Sequence, residues 1–98
     1  MSIRPEILGL GALGPLPSET ADEATIAQHQ IALSKIQGPV SDEEAAFLLE
    51  LFGPDDCYGL AWTLLHLIES APGGAPLPDA PSGDANEWRR RLWARSHR

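Results

Sequence analysis

The chain holds a single cysteine, so it can form no internal disulfide and offers no cysteine pair for a zinc knuckle. Lysine is nearly absent too: Lys35 stands alone against six arginines. No apolar run is long and unbroken enough for a membrane-spanning helix. Nothing resembles a signal peptide, because Pro5 interrupts the first apolar residues and the only early charges are Arg4 and Glu6. The expected compartment is therefore the cytoplasm. Phosphate-binding loops and nucleophile elbows are missing. The segment Gly9-Leu-Gly-Ala-Leu-Gly14 is no dinucleotide fingerprint, since no strand precedes it and prolines follow it.

Catalytic chemistry has little to work with. Cys57 is the one candidate nucleophile, but Asp55 and Asp56 beside it oppose a thiolate and no histidine is near in sequence. A buried structural cysteine is the expected role. Asp55, Asp56 and His66 lack the spacing of a metal site. The chain is read as a non-enzyme, with no cofactor and no metal.

What is present is helical. The stretch from Gly53 to Gly74 organises the rest. Asp55 and Asp56 can cap a helix start, and Pro72 with Gly73 and Gly74 closes it. The predicted central helix runs over about 56–71. It is apolar on most of its circumference, so neighbours should cover it on several sides. One row differs: Gly59, Thr63, His66 and Ser70 lie along a line. That row is either a groove centred on His66 or, preferred, a close helix crossing at Gly59 with Thr63 and His66 hydrogen-bonded or at the surface.

Two further helices precede it. Thr20-Ala-Asp-Glu23 fits a capping box and predicts a helix over 20–37, with His29 exposed or at the edge of its apolar stripe. Ser41-Asp-Glu-Glu44 fits a second box and predicts 42–52. A third box, Asp84-Ala-Asn-Glu87, predicts 85–95, with Trp88 and Leu92 packed inward and the arginines solvated or paired with acids. Residues 72–83 read as a stiff Pro/Gly-rich loop. Residues 1–17 hold three glycines and three prolines among apolar residues, and are expected as an irregular apolar arm with at most one short turn near Glu6–Leu10. The expectation is an all-α single domain over residues 1–98, a small bundle of three to four helices.

The net charge is −7 over 98 residues, and it is uneven. Residues 1–84 carry thirteen acids against Arg4 and Lys35, leaving −11; residues 85–98 carry five arginines against Glu87, leaving +4. An acidic body repels nucleic acid and suits a basic protein partner. The expected contact is an acidic edge of Asp42, Glu43, Glu44, Glu50, Asp55 and Asp56, with Tyr58 as aromatic anchor. In size, charge and helix count the chain resembles the colicin-nuclease immunity proteins, small acidic helical inhibitors. No motif carries that likeness, so no residue role transfers. The functional expectation is an immunity- or inhibitor-type interaction domain. Alternatives are a subunit that self-associates through its arm and Trp/Arg tail, and a small-molecule or nucleic-acid binder.

Overall fold

A computed structural model describes residues 3–77, 81–82 and 85–96. Among them are five helices and no strand: α1 Pro5–Leu13, α2 Glu23–Ser34, α3 Asp42–Leu49, α4 Leu60–Glu69 and α5 Glu87–Ser96. The all-α expectation holds, with one helix more than expected.

The extra helix is α1, where an irregular arm was expected. Pro5 sits at the first helical position, where its fixed φ fits and its missing N–H costs nothing. Ile7 and Leu10, one turn apart, are wholly buried. Each such burial is worth roughly 1.5–3 kcal/mol, which offsets about 1 kcal/mol for each glycine inside the helix. Gly11 is there for a contact. A Cβ at this position would lie 2.4 Å from Cζ of Phe47. Gly14, at φ 89°, ends the helix.

The segment after α1 runs against the end of α3. The Leu16 N–H donates to the Leu51 carbonyl at 2.9 Å. Gly53 makes this approach possible, because a Cβ there would stand 2.1 Å from the Leu16 carbonyl oxygen.

The Ser41 box forms as expected. Its hydroxyl accepts from the Glu44 N–H, and Glu44 accepts from the Ser41 N–H. The Thr20 box does not form. Thr20 bonds Ser18 instead, and α2 starts three residues later with Asp22 at its N-cap. Asp84 lies outside the described residues, and Asn86 does the capping there, its Oδ1 accepting from the Trp88 N–H at 2.7 Å.

The central helix also starts late. The Asp56 carboxylate accepts from the Gly59 N–H, which folds residues 56–59 into a turn rather than a helix. Cys57, Tyr58 and Gly59 all take left-handed backbone, at φ 48°, 54° and 93°. From Leu60 onward α4 is central as expected: it packs on α2, α3 and α5, burying Leu60, Ala61, Leu64, Leu65 and Ile68. The Gly59 row forms neither a groove nor a crossing. Space around Gly59 is open and the Ser70 hydroxyl accepts from the Val40 N–H, while Thr63 and His66 lie at the surface as expected.

His29 departs from expectation. It is buried, with Nδ1–H donating to the Thr25 carbonyl at 3.0 Å and Nε2 left without a partner among the described residues. The tertiary packing of α1 and α4 against α2 brings it inside. Trp88 and Leu92 are buried as expected, Trp88 stacking on Phe52 and meeting Trp62 edge-on at 5.2 Å.

Candidate protein-binding site

The seven residues of the predicted edge fall into two groups, at opposite ends of α3. Asp42, Glu43 and Glu44 lie in its first turn, while Asp55, Asp56 and Tyr58 follow its exit and Glu50 caps its end. At about 1.5 Å per residue, α3 holds the two groups roughly 12 Å apart.

Most of the first group is committed inside the molecule. Glu44 was expected on the outer face; it is instead buried. Arg4, forty residues away, covers it. Nε and a terminal nitrogen of Arg4 reach the two Glu44 oxygens at 3.0 and 3.2 Å, and the Arg4 backbone N–H adds a bond at 2.9 Å. The guanidinium beside it, followed by its backbone donors, holds the Glu44 carboxyl at about 2 against burial's opposing effect. Asp42 accepts from the Gly73 N–H at 2.7 Å and ties down the loop after α4. Glu50 pairs with Arg89 at 2.8 Å.

Three of the arginines of α5 are similarly engaged. Besides Arg89, Arg91 pairs with Glu87 and lies over the Trp62 and Trp88 rings, at 5.3 and 4.5 Å from their centroids. Arg95 pairs with Glu69 at 2.7 Å and lies over Trp62. The expected pairing of these arginines with acids is thus seen for three of them, two reaching the acidic body and one staying within α5.

The second group builds a different surface. Asp55 accepts from the Ser18 hydroxyl and from the N–H groups of Glu19 and Cys57. These donors, the Glu19 N–H foremost, hold its carboxyl below the ordinary range. Asp55 thus joins the segment before α2 to the turn before α4. Tyr58 stands out from that turn, 70% exposed, its hydroxyl donating to the Glu19 carbonyl at 3.2 Å. Between Tyr58 and the start of α2 lies an open groove of about 400 Å³, lined by Glu19, Ala21, Glu23, Ile26, Ala27, Gln30 and Tyr58. No lysine or arginine lines it. Glu19, Asp22, Glu23, Asp55 and Asp56 make no ion pair among the described residues.

Cys57 is wholly buried in the same turn. Burial, then the carboxylates of Asp55, Glu19 and Asp56, push its thiol up, so it is not an activated nucleophile.

Sequence reasoning named Asp55, Asp56 and Tyr58 but missed Glu19, Glu23 and Ile26. Glu23 was assigned to a cap, and nothing local to Glu19 marks it. Their signal is the meeting of segments about forty residues apart, which has no sequence pattern.

No family model matches the chain, and comparison with curated proteins and with solved structures finds no similar protein.

Proposed function

We propose that this protein is a small acidic interaction domain that binds and masks a basic partner protein, in the manner of an inhibitor. The observation that carries the reading is Tyr58. It is a large aromatic held out in solvent on left-handed backbone, a conformation that costs an ordinary residue about 1–2 kcal/mol. The Tyr58 side chain, largely in solvent, does not repay that cost by its own burial. An aromatic in such a place beside unpaired carboxylates suits a contact anchor. Arg89, Arg91 and Arg95 are engaged elsewhere, and among the described residues no ion pair ties up Glu19 or Glu23, so the charge around the groove is available to a partner.

The contact set differs from the predicted edge. Tyr58, Glu19 and Glu23 are its centre, Asp55 and Asp56 support it, and Glu44 is withdrawn into the fold. The test compares wild-type bait with a Glu19→Gln/Glu23→Gln bait and with a Tyr58→Asn bait, at low and high salt. A captured basic protein is then purified and its binding measured by calorimetry. Loss of that binding in both variants supports the proposal. A partner indifferent to all three changes, or no partner, overturns it.

A second reading rests on a separate observation. The outward faces of α1 and α2 expose Leu8, Leu13 and Ile31. Self-association through them would make the protein a structural subunit. Light scattering coupled to size exclusion decides this: a dimer lost in Leu8→Ser/Ile31→Ser favours it, and a monomer at high concentration removes it.

A further inference from the structure

We infer that the side chain this groove receives is an arginine of the partner rather than a lysine, an inference that rests on the reading above. The groove is small. Its volume of about 400 Å³ is near the lower end of the roughly 300–1,000 Å³ seen for small-ligand sites. It has room for a side chain or two, not for a folded surface. Besides the neutral amide of Gln30, its lining comes in three kinds. Ile26, Ala21 and Ala27 offer an apolar strip suited to a methylene stem. Glu19 and Glu23 offer carboxylates with no cation paired to them among the described residues. Tyr58 offers an aromatic ring, exposed and fixed in place through its hydroxyl.

An ammonium group uses the carboxylates but gains little else in so open a site, because it is compact and strongly hydrated. A guanidinium is planar and more weakly hydrated. It can stack on the ring while its fork meets a carboxylate. The chain makes the same arrangement within itself. Arg91 lies over two tryptophan rings while bonding Glu87, and Arg95 lies over Trp62 while bonding Glu69. The groove presents the aromatic and the acids with the cation left to be supplied from outside.

The test is a nuclear magnetic resonance titration of the full ¹⁵N-labelled chain at low salt. The probes are three capped peptides of repeated Gly-Ser-X, with X arginine, lysine or the neutral isostere citrulline. The arginine peptide should shift the amide signals of Tyr58, Gly59, Glu23 and Ile26 and bind roughly fivefold to tenfold more tightly than the lysine peptide. Citrulline should shift nothing. Tyr58→Asn tolerates left-handed backbone and should abolish the arginine advantage, leaving the two cationic peptides equal. Equal binding of arginine and lysine by wild type overturns the inference. So does an arginine preference that persists in Tyr58→Asn, or shifts that fall outside the groove. The two readings fail differently. Equal peptide binding lost in Glu19→Gln/Glu23→Gln leaves the basic-partner reading standing. Silence toward both cationic peptides, with partner capture indifferent to the groove variants, overturns both.

Discussion

Replacing Glu44 with glutamine should cost stability at neutral pH and progressively less in acid. The side chain holds two elements at once: it completes the cap of α3 and takes the fork of Arg4 at the start of α1. Its carboxyl is lowered from 4.5 to about 2, chiefly by Arg4. At about 1.4 kcal/mol for each factor of ten, that displacement corresponds to roughly 3 kcal/mol. The Arg4 side chain is 37% exposed, so water screens part of it. A figure of about 2 kcal/mol is the working value. The sign follows from the folded state binding the proton less readily than the unfolded one. The stabilisation is complete above about 4.5 and drains away as the pH falls toward 2. Glutamine keeps the shape and much of the capping but has no charge to lose. Urea unfolding of wild type and Glu44→Gln, followed by circular dichroism, should show a gap of about 2 kcal/mol near neutrality, falling below half of that by about pH 3. A double-mutant cycle with Arg4→Met should place the pH-dependent part in the coupling between the two residues. A gap that is the same at both pH values would assign the loss to the cap alone. A gap under about 0.5 kcal/mol near neutrality would refute the clamp.

Three further outcomes are expected. In α1, Gly9→Ala has open space around its new methyl and should stabilise by up to about 1 kcal/mol, while Gly11→Ala drives into Phe47 and should destabilise by about 1–3 kcal/mol; paired thermal melts read both. His29→Phe removes a buried ring nitrogen that has no partner among the described residues, at the cost of the Nδ1–H bond to the Thr25 carbonyl, and should leave stability equal or higher by up to about 1 kcal/mol; a clear loss in chemical unfolding would mean that Nε2 is satisfied or that the Thr25 bond outweighs it. Tyr58→Gly relieves left-handed backbone at an exposed residue and should leave the melting temperature unchanged or raised while removing capture of the basic partner; a large fall in melting temperature would make Tyr58 a residue of the fold.

How much was legible depends on how far each residue's partner lies along the chain. Ser41 and Glu44 satisfy each other across three residues, so the cap of α3 could be read directly. Trp88 and Leu92 announce an inward face at helical spacing, and α5 buries them. The start of α4 was misplaced because an aspartate can accept from the N–H three residues on either as a helix cap or to close a turn. Asp56 uses it for the turn. The arm was misjudged because glycine reads as a helix breaker, whereas Gly11 serves a contact with Phe47, thirty-six positions on. Glu44 looked like a solvated acid because Arg4 is forty residues away. The candidate site shared that difficulty. Tyr58 was visible as an aromatic among acids, but the groove beside it exists only because Asp55 binds Ser18 and Glu19 across the fold.

Gly11 and Gly53 carry different consequences for how this sequence can vary. Gly11 faces a side chain, the ring of Phe47. An alanine at position 11 becomes acceptable once position 47 shrinks, so the pair should drift together among relatives, each change licensing the other. Gly53 faces the carbonyl of Leu16 itself. No substitution removes a main-chain oxygen, so no second-site change can compensate there. In a library of functional variants, position 11 should show covariation with position 47. Position 53 should show silence: glycine throughout, linked statistically to nothing.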